Sequence, residues 1–106
     1  MGKNNFAEKV YDLVEKIPAG KVTTYKRLGE LMSIRAYRAI GQVLARNPYV
    51  HEVPCHRVVR SDGGVGGFFG KKDLAASNEK ARLLAEEGIE IEEGRVNLEE
   101  YMFSFE

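Results

Sequence analysis

Residues 21–48 read KVTTYKRLGELMSIRAYRAIGQVLARNP, and the fold turns on this stretch. Thr24 stands where a helix cap belongs, because its hydroxyl can accept from a backbone N–H two or three residues on. Tyr25 then occupies the first turn, Leu28 and Leu31 face inward, and Met32-Ser33-Ile34 ends the helix. In the next run Ala36, Ala39, Ile40, Val43 and Leu44 recur at steps that give one buried stripe. Arg38, Gly41 and Gln42 fall mainly off that stripe, with Arg35 and Arg46 beside it. Asn47-Pro48 closes this helix, since Asn tolerates a left-handed cap and Pro cannot continue. A short join between two helices, the second basic and carrying small residues outward, is the layout of a helix-turn-helix. Most helix pairs with this layout simply pack.

Working outward, Phe6, Val10, Leu13, Val14 and Ile17 predict an amphipathic helix near 4–17. Asn4 or Asn5 caps it and Pro18-Ala19-Gly20 stops it, after which Lys21-Val22-Thr23 is extended. Downstream, His56-Arg57-Val58-Val59-Arg60 reads as a short strand. Ser61-Asp62-Gly63-Gly64 is a tight turn, and Val65 starts the return limb of a hairpin in which Gly66, Gly67 and Gly70 bracket Phe68-Phe69. A hairpin after a helix-turn-helix is a wing. Asp73 to Glu87 reads as a helix with Leu74, Ala81, Leu83 and Leu84 as its apolar members, ended by Gly88. Ile89, Ile91 and Val96 flank a turn at Glu93-Gly94, and Tyr101 and Phe103 mark an aromatic close. The expectation is one domain over residues 1–106, mainly α, a winged helix-turn-helix with a small β-hairpin.

The 106 residues, 43% hydrophobic and 30% charged, are those of an ordinary globular domain. A single cysteine excludes an internal disulfide, and two histidines, without CxxC or HxxxH, make a structural zinc site unexpected. No apolar run is long enough for a membrane span or a signal peptide, so the reducing cytosol or nucleoid is the expected compartment. The net charge of zero hides a division. Residues 1–60 carry eleven Lys/Arg against five Asp/Glu, and residues 61–106 carry five against eleven. Such asymmetry suits nucleic-acid contact by the basic half, or two halves that attract each other in the fold.

Pro54-Cys55-His56-Arg57-Val58 is the segment richest in chemistry. A lone cysteine is ordinarily a small buried hydrophobe. Here a titratable base and a cation adjoin it, and both lower a thiol's pKa and favour the nucleophilic thiolate. Adjacent side chains of a strand point to opposite faces, however, so His56 needs a turn at Cys55 or a bridging water to take the thiol proton. His51 has no such support and reads as a loop residue.

The segment resembles the PCHRV active-site motif of the O6-alkylguanine-DNA alkyltransferases, also called methylated-DNA–protein-cysteine methyltransferases. Other motifs keep the same order. Gly20-Lys21-Val22-Thr23-Thr24-Tyr25 is similar to the family's entry into its first DNA-binding helix. Arg38-Ala39-Ile40-Gly41 resembles its recognition helix and Arg46-Asn47-Pro48 the stop after it. Gly64-Val65-Gly66-Gly67-Phe68 looks like its wing, and Leu83-Leu84-Ala85-Glu86-Glu87-Gly88 like its helix end. The resemblance covers roughly residues 5–91.

It implies single-turnover transfer of an alkyl group from O6 of guanine in double-stranded DNA to Cys55. His56 would draw the thiol proton through water, Glu87 would orient that histidine, and Asn47 would hold the active-site turn. Tyr25 would hydrogen-bond or protonate the departing guanine. Arg38 would fill the space left by an extruded nucleotide, because a thiolate reaches O6 only when the base leaves the stack. Thr24, Ala39, Gly41 and Arg46 would contact DNA, the small residues letting the helix approach the minor groove closely. Leu44, Val58, Phe68 and Phe69 would line the base pocket. No metal or organic cofactor is implied, and a monomer on DNA is expected, in the cytoplasm and associated with a nucleoid or nucleus.

Some features depart from the family's pattern. Phe68 stands where Tyr is common, Phe69 where a small or polar residue is frequent, and Tyr37 where a small one is common. About five extra residues near Asp73–Ser77 lengthen the join after the wing. The family's usual amino-terminal domain is expected to be absent, which raises a separate partner chain or repair factors as further partners. Two other readings follow. Alkyltransferase-like proteins share this domain and bind alkylated guanine without reacting, usually with Trp or another residue in the cysteine's place. A plain winged-helix module would not distinguish damaged from undamaged duplex.

Overall fold

The computed structural model describes residues 5–49, 52–67, 71 and 73–105. Helix α1, Phe6–Glu15, starts where the Asn5 side chain accepts the Glu8 amide at 2.8 Å, and it buries Val10, Tyr11 and Val14. Asn4, the alternative cap, lies outside the described residues. Strand β1 is only Thr23–Thr24, and Thr24 turns it directly into α2, Tyr25–Leu31, by accepting the Arg27 amide at 3.0 Å. Helix α3 spans Tyr37–Ala45. The join between α2 and α3 is tight at Gly29, where an added Cβ would overlap the Tyr37 ring and come within 2.9 Å of the Ile34 carbonyl oxygen.

The segment after α3 is where the sequence expectation needs correcting. His56 to Arg60 does not form a strand throughout. Cys55–Arg57 is a 3-10 turn, and strand β2 is only Val58–Val59. β2 pairs in parallel with β1, Thr23 opposite Val58 and Thr24 opposite Val59. Parallel strands need a crossover, and the helix-turn-helix is that crossover. On its other side the β1 segment takes the chain's end, as Val22 N donates to the Tyr101 carbonyl at 2.9 Å and Phe103 N to the Val22 carbonyl at 2.8 Å.

The turn at Arg60–Gly64 is closed, with Arg60 N donating to Gly64 O and Gly64 N donating to the Asp62 carboxylate. Among the described residues its return limb does not pair back on β2. Val65 N donates to Gly94 O and Val96 N to Gly63 O, so the limb joins the late hairpin formed by β3, Ile91–Glu92, and β4, Arg95–Val96. That hairpin turns through Glu93 and Gly94, both with positive φ as a two-residue hairpin loop prefers. Phe68, Phe69 and Gly70 of the expected wing, and His51, lie outside the described residues.

Helix α4, Leu74–Glu86, begins on Asp73, whose carboxylate accepts the Ala76 amide at 2.9 Å. The residues expected to lengthen a join are therefore its cap and first turn. Leu74 is 75% exposed, against expectation, whereas Lys80 is 1% exposed. Lys80 lies one helical turn before Leu84 and shares its inward face. Leu31 is likewise at the surface. Asn47 is not left-handed, the non-glycine positive φ values among the described residues being those of Ser33 and Glu93. A short helix α5, Leu98–Tyr101, ends the fold.

Two apolar clusters follow from this order. One joins α1, α2 and α3 around Val14, Leu28 and Ile40 and reaches Cys55 and Val58. The other joins Val22, Val59, Val65, Leu84, Ile89 and Val96, tying α4 and the late hairpin to the strands. The architecture is the mainly helical winged helix-turn-helix anticipated, with small two-stranded sheets.

Candidate active site

Cys55 opens the 3-10 turn at the boundary between the helix-turn-helix and β2, and its residue is 9% exposed. Burial pushes its thiol above the ordinary value of 9.0, while a hydrogen bond with Asn47, the nearby Lys80 and a backbone hydrogen bond act the other way. Asn47 is buried as well, and its carboxamide works in two directions. Nδ2 donates to the Val53 carbonyl at 2.9 Å and Oδ1 accepts the Tyr49 amide at 2.8 Å. The residue expected to cap a helix by its backbone instead braces, by its side chain, the loop leading into the thiol.

The 3-10 turn removes the alternation that would have set His56 opposite Cys55. His56 Nε2 meets Glu87 Oε2 at 2.7 Å. A carboxylate only accepts, so Nε2 is the donor of this pair. Arg57 joins the same carboxylate, with Nε 2.9 Å from Oε1 and Nη2 2.6 Å from Oε2, and its Nη1 donates to the Ile17 carbonyl at 2.7 Å. Gly20 N adds a contact at 3.3 Å. Burial raises the Glu87 carboxyl's pKa, but the hydrogen bonds from Arg57 and His56 outweigh it and hold the group below its usual range. Glu87 thereby clamps the end of α4, the active-site turn and the loop after α1 together.

A cavity of about 770 Å³ opens on the face of Cys55 formed by α2 and α3. That volume suits a nucleoside-sized guest. Tyr25, Tyr37, Gly41, Leu44 and Cys55 line it. A Cβ at Gly41 would stand 3.8 Å from the Tyr25 ring, so the glycine keeps the opening beside that ring clear. Burial raises the Tyr25 hydroxyl's pKa, with Cys55 adding to the effect. The charged residues in the lining are Lys26, Arg38, Arg60, Lys71 and Lys80, with no carboxylate among the described ones. Neither His56 nor Glu87 lines it.

The structure thus brings Cys55, Asn47, Tyr25, Arg38, Gly41 and Leu44 to one site, with His56 and Glu87 in contact with each other outside the cavity lining. It does not bring Val58 there, because Val58 is fully buried in the α1–α3 cluster and absent from the lining. Thr24 is 4% exposed with its oxygen engaged as the α2 cap, so its side chain is not offered at the surface. Arg46 is exposed at the end of α3, outside the cavity, and Ala39 is half-buried on that helix. Phe68 and Phe69 lie outside the described residues. The cation acting on the thiol is Lys80 and not Arg57, whose charge Glu87 takes up.

Lys80 is the residue that sequence reasoning missed. Its Nζ donates to the Gly67 carbonyl at 3.1 Å and lies 5.9 Å from the centre of the Tyr25 ring. Burial lowers its pKa to about 8, opposed by Cys55 and assisted by Arg60. A lysine four residues ahead of Leu84, on the face of that core leucine, was the available signal. Among the described residues no group of three or more His, Cys, Asp or Glu could hold a metal ion, and no helix is long and apolar enough to cross a membrane.

Residues 5–89 match the family model for the 6-O-methylguanine DNA methyltransferase DNA binding domain. The chain is 41% identical over 96 residues to a bifunctional methyltransferase/endonuclease of Picrophilus torridus, covering 90% of this chain and 30% of that protein. It is 39% identical over 89 residues to a methylated-DNA–protein-cysteine methyltransferase of Sulfolobus acidocaldarius, covering 84% of this chain and 53% of that one. The chain thus spans about half or less of these methyltransferases. With alkyltransferase-like protein 1 of Schizosaccharomyces pombe it shares 38% identity over 111 residues, covering 97% and 98% of the two chains. The crystal structure of S. pombe Atl1 with damaged DNA containing O6-carboxymethylguanine superposes with a TM-score of 0.78 at 36% identity, covering 98% of this chain and 97% of that one.

Proposed function

The chain belongs to the family of 6-O-methylguanine DNA methyltransferase DNA-binding domains, and on that premise we propose that it removes alkyl groups from O6 of guanine in duplex DNA onto Cys55. The observation that supports this most is the thiol itself, set at the wall of a cavity large enough to admit a nucleoside and next in sequence to a histidine held by a carboxylate.

In this reading α3 lies against the duplex, where Ala39 and Gly41 permit close approach and Arg38 takes the place of the extruded nucleotide. Arg46, outside the cavity, meets phosphate. The guanine enters between Tyr25 and Leu44. Nδ1 of His56 takes the thiol proton through water, and Glu87 balances the imidazolium. The Sγ–carbon bond forms as the carbon–O6 bond breaks, and the electron pair leaves on guanine, which Tyr25 protonates or hydrogen-bonds. The sulfur has then formed a thioether that no group in the site reverses, so each molecule acts once. Asn47 keeps the turn in place throughout. Such a protein works where the DNA is, in a nucleoid or nucleus, as a monomer on the duplex, and needs no metal or cofactor.

One observation favours a second reading. The nearly end-to-end match to an alkyltransferase-like protein suits a lesion binder that recruits repair factors without reacting. Replacing Cys55 by Ser separates the two. In the transferase, Cys55→Ser abolishes alkyl transfer and retains lesion binding. A protein that never alkylates, with wild type and variant binding the lesion alike, contradicts the transferase reading.

A further inference from the structure

Lys80 is charged, nearly inaccessible to solvent, and adjacent to the nucleophile. Its one hydrogen bond among the described residues is to the Gly67 carbonyl, so an ammonium with three donors keeps capacity to spare. It lines the cavity that Cys55 lines, beside Tyr25 and Arg60, and no described carboxylate enters that lining. The remaining lining cations, Lys26, Arg38, Arg60 and Lys71, are at or near the surface, where backbone phosphates can neutralise them. Phosphates outside the cavity leave Lys80 unanswered, because it sits on the interior wall.

The group that lies between the thiol and a guanine O6 during transfer is the alkyl adduct itself. We propose, building on the transferase reading, that Lys80 selects anionic adducts, so that carboxyalkyl groups on O6 are transferred faster than neutral groups of the same size. The ammonium receives the adduct's carboxylate and offsets its repulsion of the approaching thiolate. The reaction is otherwise unchanged. The carbon bonded to O6 becomes bonded to Sγ, the electron pair leaves with guanine, and the carboxylate passes to the protein intact. Among the described residues no carboxylate lines the cavity beside this buried ammonium, and such an adduct supplies one next to the thiol that Lys80 already faces.

The test compares duplexes carrying O6-carboxymethylguanine with duplexes carrying its neutral isostere, O6-carbamoylmethylguanine, and O6-methylguanine as reference. Initial rates are read by intact mass of the full chain. The expected ratio of carboxymethyl to carbamoylmethyl transfer is about tenfold, the worth of one hydrogen bond to a charged group. Lys80→Met, which keeps length and drops charge, should bring the ratio to one or below, and Lys80→Arg should retain part of it. Because the ratio is taken within each protein, any general effect of Lys80 on the thiol cancels. Equal rates for the isosteres in the unaltered chain, with O6-methylguanine still repaired, overturn the selection and leave the transferase reading intact. A ratio that survives in Lys80→Met equally overturns the assignment to this residue. No transfer from any of the three duplexes overturns both.

Discussion

Glu87 shows most directly how one side chain serves both stability and chemistry. Its carboxylate accepts from Arg57, His56 and the Gly20 amide. Glu87→Gln leaves the half-buried Arg57 guanidinium without its counter-charge, a loss of about 3 kcal/mol at neutral pH by the usual cost of breaking such a pair. Chemical denaturation of the two proteins checks it. The sign with pH follows from the lowered carboxyl. Stability that Glu87 supplies is present above its ordinary pKa of 4.5 and is lost as pH falls through the lower folded value. The unaltered protein should therefore lose its advantage over Glu87→Gln on acidification. His56 is tested by rate. Since burial raises the Cys55 pKa, thiolate is scarce at neutral pH without a base. Single-turnover transfer by His56→Asn should fall by about 10²-fold at pH 7 and recover toward the unaltered rate as pH approaches 9, where hydroxide replaces the imidazole. A deficit that stays constant over that range contradicts the relay.

Among the elements, the helix-turn-helix was legible because its signals are local. Thr24 is a cap wherever it precedes a helix, and the α3 stripe is set by spacing alone. The same holds for Gly88 and the Glu93-Gly94 turn. The strands were less legible, since β1 and β2 are two residues each and their pairing is parallel across α2 and α3. Nothing in His56–Arg60 distinguishes a strand from a 3-10 turn followed by two strand residues. The return limb after Gly64 went to the late hairpin because its partner lies some thirty residues away. The elbow between α2 and α3 provides the element-scale prediction. Gly29→Ala should destabilise the fold by about 1–3 kcal/mol, since Tyr37 and the Ile34 carbonyl leave no space for a methyl group. Thermal denaturation measures it, and an unchanged melting temperature would mean that the elbow is looser than described.

At the scale of the molecule, the uneven charge of the sequence resolves into geography. The basic half contains the helix-turn-helix, whose Lys26 and Arg38, together with Arg60, surround the cavity mouth. Part of the acidic half turns inward to serve the site, as Glu87 does. Lys80 escaped the sequence reading for the converse reason, since a lysine within a helix is ordinarily a solvated residue and only the packing of α4 against Tyr25 and Gly67 makes it an interior one. The pairing of His56 with Glu87 was legible only through their motifs, because that contact spans about thirty residues of chain. The thiol is the centre of the proposed chemistry. Intact and peptide mass measurement after incubating the chain with a duplex containing one O6-methylguanine tests it most directly. The expected result is one methyl group per molecule, on Cys55, with unmodified guanine left in the DNA. An unmodified protein bound to an unrepaired lesion would contradict it.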